Sequence, residues 1–386
     1  MVDRAVRSAA REPRAALMRD CWCGAPTAVV PTARQSPEPL RIVVIAPPWF
    51  EVPPDGYGGI EYACGWLAEG LHALGHDVTV IGAGRRRTSA RFLATYPEAL
   101  SARVGEVALE VVHAGLAERL QRQLQADLVH DHTFVGALLA ATRARPTVLT
   151  TQMPIDEDTR SLYMSVPARH ALVAISESQR RSAAGLGWTA TVPNGVPVST
   201  YPSPRPKKAF ALFLGRMTPE KAPHLAIDAA RAAGVPLILA GKCAEAREMA
   251  YFEREIRPRL GSGVMWAGHV WGQRKKRLLA AACCLLFPSQ WEEPFGLVMV
   301  EAMACGTPVV ALRRGAPSEV VDDGRSGFLC DEPDQLAAAL RRARELDPHD
   351  CHARAHRFDL HRMVAGYETV YMQVLTGALP SRGHER

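Results

Sequence analysis

Short, almost wholly apolar runs recur along this chain, each followed by a turn and an amphipathic stretch, and few architectures accept that rhythm. Ile42-Val43-Val44-Ile45-Ala46 is the first such run. A strand without alternation of apolar and polar residues is buried on both faces, as in a parallel sheet covered by helices. A Pro- and Gly-rich loop spans Pro47 to Gly59, and a helical pattern runs from about Glu61 to Leu74 before Gly75. Glycine stops a helix cheaply because it accepts the left-handed conformation. His76 to Ile81 supplies the next strand, completing a βαβ unit with a right-handed crossover.

The pattern predicts further strands at Asp127–His130, Thr147–Thr150, Ala171–Ile175 and Thr191–Val192, the last leading into an Asn194-Gly195 turn. Pro202, Pro204 and Pro206 with Lys207 and Lys208 then break all periodicity, which reads as a linker over 202–208. The rhythm restarts with strands at 210–215, 235–240, 264–268, 284–288 and 308–311, and helices from Pro219 to about Ala233, from about Gln273, and from Gly296 to Cys305. The expected fold class is α/β, two doubly wound Rossmann-like domains facing each other across a cleft. The expected division is 41–201, then the linker, then 209–357, with a helix at 358–376 packing back on the first domain and a tail at 377–386. Ligands of such sheets bind at the carboxyl ends of the strands, so two facing edges make one shared site.

The 386 residues suffice for two such cores, and 47% of them are hydrophobic. A net charge of +6 lacks the dense basic face of a nucleic-acid protein, so none is expected as a partner. The nine cysteines form no CxxC and no zinc-like Cys/His spacing, which reads as a reducing, cytoplasmic setting. Cys283 and Cys284 lie in an apolar run and read as buried small hydrophobes. No run approaches the roughly 18 apolar residues of a membrane span. Residues 1–40 are rich in Arg, Ala and Pro without periodicity or a signal-peptide core, and read as a disordered extension or an over-long translation start.

The stretch from Glu292 to Pro308 carries the most chemistry. Glu293 and Glu301 stand with seven residues between them, one before the predicted helix and one inside it. The helix N-terminus between them presents unpaired N–H groups and suits a phosphate, and Gly296 lets backbone approach a ligand. Glutamates on either side of a diphosphate can accept from two sets of hydroxyls. The plainer alternative is a Glu293 that favours the helix dipole and a solvated Glu301. Val300, Ala302 and Met303 argue for burial, and a buried carboxylate needs a partner.

This E-x7-E element resembles that of the family 4 glycosyltransferases, and the resemblance extends over roughly Arg41 to Tyr371. It is nearest the actinobacterial subgroup typified by the avilamycin-pathway glycosyltransferase. The resemblance implies the GT-B fold, a retaining mechanism and no metal. It implies that Glu293 contacts the donor sugar, that Glu301 contacts the nucleotide ribose, and that the backbone of Phe295, Gly296 and Leu297 meets sugar and phosphate.

Gly215-Arg216-Met217-Thr218-Pro219-Glu220-Lys221 is the second element. Thr218 reads as an N-cap, Pro219 as the first helical residue and Lys221 as a first-turn cation, where the dipole disfavours it. Such a broken local rule marks a used residue. The resemblance assigns Arg216 and Lys221 to the departing diphosphate, converging on it with Glu293 as the catalytic set. A solvated Arg and Lys beside a helix is the plainer alternative.

Gly56-Tyr57-Gly58-Gly59-Ile60-Glu61 fails the G-x-G-x-x-G spacing, so dinucleotide binding is disfavoured. The resemblance carries over Gly58 and Gly59 as donor-phosphate contacts; a flexible turn is the alternative. Asp127-Leu128-Val129-His130-Asp131-His132 closes a strand, where site residues collect. One of His130 and His132 faces the acceptor, or the two are a hydrogen-bonded structural pair; a third metal ligand is missing.

The chain departs from the family pattern at Thr150-Thr151-Gln152-Met153-Pro154, where many members carry a His. Gln152 can bond a sugar hydroxyl on the acceptor side but cannot serve as a general base. Asp156, Glu157 and Asp158 just beyond read as an acceptor contact or a solvated acidic turn. Gln273 to Arg277 is a basic run that reads as a solvated helix face before it reads as a membrane contact.

The expected function is transfer of a sugar from a nucleotide donor to the hydroxyl of a small acceptor, in natural-product, cell-envelope or small-metabolite glycosylation. The donor is expected to be a UDP-sugar first, a GDP- or dTDP-sugar next, with no cofactor, and the chain a monomer or homodimer. The rivals are a silent binding protein on the same fold, or an epimerase or phosphorylase.

Overall fold

The computed structural model describes residues 38–379. The readings of the N-terminal extension and of the last residues of the tail fall, but for 38–40 and 377–379, outside that range.

Among the described residues, thirteen strands form two sheets, and every pairing in them is parallel. The first contains β1 (Arg41–Ile45), β2 (Asp77–Gly82), β3 (Arg91–Ala94), β4 (Leu128–Asp131), β5 (Thr147–Thr150), β6 (Ala171–Ala174) and β7 (Ala190–Thr191), in the order β3-β2-β1-β4-β5-β6-β7. The second contains β8 (Ala211–Leu214), β9 (Leu237–Ala240), β10 (Val264–Trp266), β11 (Cys284–Phe287), β12 (Val309–Leu312) and β13 (Gly327–Cys330), in the order β10-β9-β8-β11-β12-β13. Strand order reverses between β1 and β4 in one sheet and between β8 and β11 in the other. Doubly wound sheets bind ligands at these switch points, outside the strand ends.

Helices α1 (Gly59–Ala73), α2 (Pro223–Ala233), α3 (Ala246–Tyr251), α4 (Gly272–Ala281), α5 (Leu297–Ala304) and α6 (Leu360–Thr376) position the site. The long α6 belongs spatially to the first sheet. Tyr367 and Tyr371 are fully buried, the first bonding Thr150 Oγ1 at 3.0 Å and the second His130 Nδ1 at 2.7 Å. A Cβ at Gly70 of α1 would come within 2.5 Å of Val364, so that glycine lets α1 and α6 close on each other. One apolar cluster runs from the first sheet through Val196, Tyr201 and Phe210 to Phe295 and Phe358, joining both halves. Among the described residues no helix is long and apolar enough to cross a membrane.

One local reading needs correction. The helix expected from Pro219 begins at Pro223, after Ala222 in a left-handed conformation (φ 50°). Thr218 and Pro219 therefore do not start a helix, and Lys221 lies in the loop before it. The 202–208 segment is also less solvated than its charges suggest. Lys207 Nζ donates to Ala280 O at 3.1 Å, Cys305 O at 2.8 Å and Thr307 Oγ1 at 2.8 Å. An ammonium there satisfies carbonyls that the ends of α4 and α5 leave open.

Candidate active site

The loop after β8 and the loop after β11 lie side by side at the switch point and are stitched by backbone, Gln290 N donating to Glu220 O at 2.8 Å. That bond brings Lys221 onto Glu293, with which it forms an ion pair. Glu293 Oε2 also accepts from Trp291 Nε1 at 2.7 Å and from Ser289 Oγ at 3.3 Å, while the Lys221 ammonium lies 4.5 Å from the Trp291 ring centre. All three donors converge on one oxygen, so Oε1 keeps its acceptor capacity. The Glu293 backbone is fixed as well: its carbonyl accepts from Ala316 N at 2.9 Å, and Gly315 lies so close that a Cβ there would reach Glu293 N at 2.5 Å.

Gly296 caps α5 with φ 83°, and α5 is apolar and buried from Met299 onward. The Phe295 side chain is committed to the core, its ring 5.7 Å from that of Phe358, so only its backbone is available to a ligand. Glu301 is 2% exposed, which rules out the solvated alternative. Its Oε1 receives the Tyr201 hydroxyl at 2.7 Å and Lys275 Nζ at 2.6 Å.

Arg216 stands at the end of β8 but is held away from Lys221. Its Nε donates to Glu248 Oε1 at 2.7 Å and its Nη2 to Glu245 Oε2 at 3.1 Å. Glu248, fully buried at the start of α3, also accepts from Lys242 Nζ at 3.0 Å and from Ala244 N at 2.8 Å. Burial opposes its charge, but these donors together hold its carboxyl below the usual range. The expected meeting of Arg216 and Lys221 is thus two separate ion pairs, and a diphosphate would have to bridge them.

The Gly-rich loop of the first sheet reaches across to this edge. A Cβ at Gly56 would come within 2.6 Å of the His269 ring, and one at Gly59 would stand 3.8 Å from Leu297. Gly58, buried at φ 139°, makes the turn, and Gly59 opens α1. Burial pushes the Tyr57 phenol pKa up while Arg216 opposes it, so this side chain lies in the field of the second sheet's charges.

His130 is corrected from an acceptor candidate to a structural residue. It is fully buried, and both ring nitrogens are spent, Nδ1 on Tyr371 and Nε2 on Thr150 Oγ1 at 2.8 Å. His132 differs: Nδ1 meets Gln152 Nε2 at 3.3 Å, and Nε2 is buried with no partner. Burial lowers its pKa to about 4, with Asp131 opposing, so the ring is neutral near pH 7. Gln152 is tied to Asn194, which donates to its Oε1 at 3.0 Å. The acidic turn resolves into a cap: Asp156 accepts from Thr159 N at 2.9 Å at the start of the helix Glu157–Met164. The basic run is not simply a solvated face, because most of its side chains bond within the chain. Arg274 donates to Ala267 O at 2.9 Å, Lys275 to Glu301, and Lys276 to Thr200 O at 2.7 Å. Among the described residues no group of three or more His, Cys, Asp or Glu is placed to hold a metal.

Sequence reasoning missed Tyr201, Trp291, Lys242 and Glu248, which orient the residues it found. Only their placement in space joins them to the site.

The family described as Glycosyltransferase Family 4 matches residues 57–200, and that described as Glycosyl transferases group 1 matches residues 202–357. The chain is a family 4 glycosyltransferase of the GT-B fold. It is similar to the phosphatidyl-myo-inositol mannosyltransferase of Mycobacterium tuberculosis, 30% identical over 343 residues that span 78% of this chain and 85% of the relative. Among solved structures, AviGT4, a glycosyltransferase involved in avilamycin A biosynthesis, is 27% identical with a TM-score of 0.70, covering 88% of this glycosyltransferase and 99% of that chain. Anabaena Alr3699/HepE, solved with UDP-glucose, shares the fold at 21% identity and a TM-score of 0.66, over 86% of this chain and 100% of that one.

Proposed function

We propose that this glycosyltransferase moves a sugar from a nucleotide-sugar donor to an acceptor hydroxyl with retention of anomeric configuration. The observation that carries the reading is the Lys221–Glu293 pair at the β8/β11 switch point, next to the α5 N-terminus and one helical stretch from the buried Glu301. The α5 N–H groups, Lys221 and Arg216 would hold the diphosphate. Glu293 Oε1 would accept from the sugar, and Glu301 from the ribose. As the glycosidic bond to phosphate breaks, negative charge grows on the leaving oxygen, and preorganised cations there lower the barrier. The acceptor proton passes to the leaving phosphate, so no protein base is required. Closure of the Gly-rich loop over Leu297 would exclude water.

The division of labour follows: 41–201 with the helix within 358–376 would hold the acceptor, and 209–357 the donor. His132 Nε2, with Gln152 beside it, would face the acceptor, and Gly58 and Gly59 the donor phosphate. A UDP-sugar is the first donor choice, supported by UDP-glucose in the fold neighbour HepE, with GDP- or dTDP-sugars next. No cofactor or metal takes part, and the acceptor is a small hydroxylated molecule.

Calorimetric titration with UDP, GDP, dTDP and ADP tests this, on the wild type and on a Glu301→Ala, Lys221→Ala double variant. Tight binding of one nucleotide by the wild type alone supports the donor site. Equal binding by both proteins removes it, and a silent fold then becomes the better reading.

A further inference from the structure

Glu301 is bound from one side only. A carboxylate oxygen offers two lone pairs. On Oε1 both are taken, by the Tyr201 hydroxyl and the Lys275 ammonium. Oε2 has no hydrogen-bond partner, yet it is not among the polar atoms sealed from solvent. The carboxylate is therefore oriented through one oxygen and presents the other, with two open acceptor positions.

What fixes that orientation lies at the junction of four elements. Tyr201 opens the crossover between the sheets and is buried. The Lys276 ammonium lies 4.5 Å from its ring centre and is anchored by Thr200 O. Lys275 Nζ stands 5.4 Å from the ring centre of Tyr62 on α1. The hydroxyl thus reaches Glu301 from a ring clamped between the crossover and α4. Burial pushes its pKa well above that of a free phenol, and the Glu301 charge adds to this, so the hydroxyl keeps its proton and stays a donor.

We propose that Tyr201 is a positioning residue that makes Glu301 read a ribose diol, so that the enzyme takes ribonucleotide sugars and rejects 2′-deoxyribonucleotide ones. The inference rests on the donor reading above and sharpens it: of the three donor classes considered, the dTDP-sugars fall away. The two open positions on Oε2 match the 2′- and 3′-hydroxyls of one ribose. A 2′-deoxyribose fills one and leaves the other unsatisfied in a nearly buried carboxylate, where water has little room to replace it. Without the Tyr201 hydroxyl, Oε1 also has an open position. The carboxylate can then turn, and the diol loses its advantage.

The test is calorimetric titration of the matched pairs UDP with 2′-deoxy-UDP and GDP with 2′-deoxy-GDP. The proteins are the wild type, Tyr201→Phe and Lys275→Met, each with a melting curve. For the pair whose base binds, the wild type should prefer the ribonucleotide by about tenfold or more, the scale of one hydrogen bond to a charged group. Tyr201→Phe should weaken the ribonucleotide more than its deoxy partner, so that the preference shrinks to a few-fold or less. Equal binding of ribo and deoxy partners by the wild type overturns the proposal. So does a Tyr201→Phe protein that weakens both equally, since a merely structural tyrosine would do that. Should Tyr201→Phe not fold, Lys275→Met removes the other donor to Oε1 and must reduce the preference instead. A wild type that binds no nucleotide at all overturns the donor reading itself, and is distinguished by the absence of heat from every titration.

Discussion

Lys221 and Glu293 come from loops 72 residues apart and meet as an ion pair beside the α5 N-terminus. Each holds the other ready, the cation for phosphate and the carboxylate for sugar, so they should act as a unit. Lys221→Met and Glu293→Gln should each lower kcat by about 10²–10³-fold, the scale of losing one preorganised group at a developing charge. The double variant should be little worse than the poorer single, because residues acting together are not additive. Steady-state rates with the donor identified by titration decide it. Fully multiplicative losses would mean that the two serve separate steps.

His130 and His132 are two residues apart and should answer to different assays. His130→Ala breaks the bond to Tyr371 that ties α6 to the first sheet, and the bond to Thr150 that links β4 to β5. It should cost about 2–4 kcal/mol of stability, from two lost hydrogen bonds and a cavity, and leave the acceptor KM of the surviving folded protein unchanged. His132→Ala also leaves a cavity but loses only the 3.3 Å contact to Gln152, so it should destabilise less than His130→Ala, and it should raise acceptor KM or lower kcat because its Nε2 has no protein partner. Denaturant unfolding beside acceptor saturation curves separates the two.

Most of the strands that sequence made legible have a neighbour on each side and carry apolar runs, and the edge strands β7 and β10 were legible as well. The two it missed, β3 and β13, are both sheet edges. Arg91-Phe92-Leu93-Ala94 is half open to solvent and Gly327 begins β13 without a side chain, so neither reads as a buried strand. The helix expected at Pro219 failed for a tertiary reason. Thr218 and Pro219 satisfy the local capping rule, but the loop is held open where Glu220 O accepts from Gln290 N. The glutamates were legible because helix position and apolar neighbours already demanded a use for them. Tyr201 was not, since its partner Glu301 lies 100 residues on.

Gly241 tests how tightly the donor side is built. It sits at φ 144° after β9, where a Cβ would fall 1.7 Å from Gly215 O, backbone that cannot swing aside. Gly241→Ala should therefore push the β8 loop outward and move Arg216. A loss of about 3 kcal/mol or more is expected from clash and strained backbone together. Nucleotide affinity should fall in step. Unchanged melting would mean that the two loops can separate freely.

Glu61 sets the pH dependence of the Gly-rich loop. Its carboxyl is 2% exposed, Oε1 has no partner, and Oε2 is the atom a Cβ at Gly58 would meet at 3.1 Å. Burial raises its pKa to about 8, with the backbone N–H groups of Glu61 and Phe50 opposing and the charge of Glu110 adding. The folded pKa lies above the usual carboxylate value of 4.5, so the folded state binds the extra proton. The stability this gives is complete below pH 4.5 and is lost as pH rises through about 8. Neutral burial of His113 and His132, both lowered to about 4, pulls the other way below pH 6.5, so the raw melting curve mixes signs. The difference between wild type and Glu61→Gln isolates the carboxyl, because the amide keeps the shape and cannot ionise. The melting temperature of the variant relative to wild type should climb steadily from pH 5 to pH 8 and level off beyond. A difference that stays flat across that range would mean that Glu61 is already ionised in the folded protein, and that its burial is relieved by water reaching the Gly58 turn.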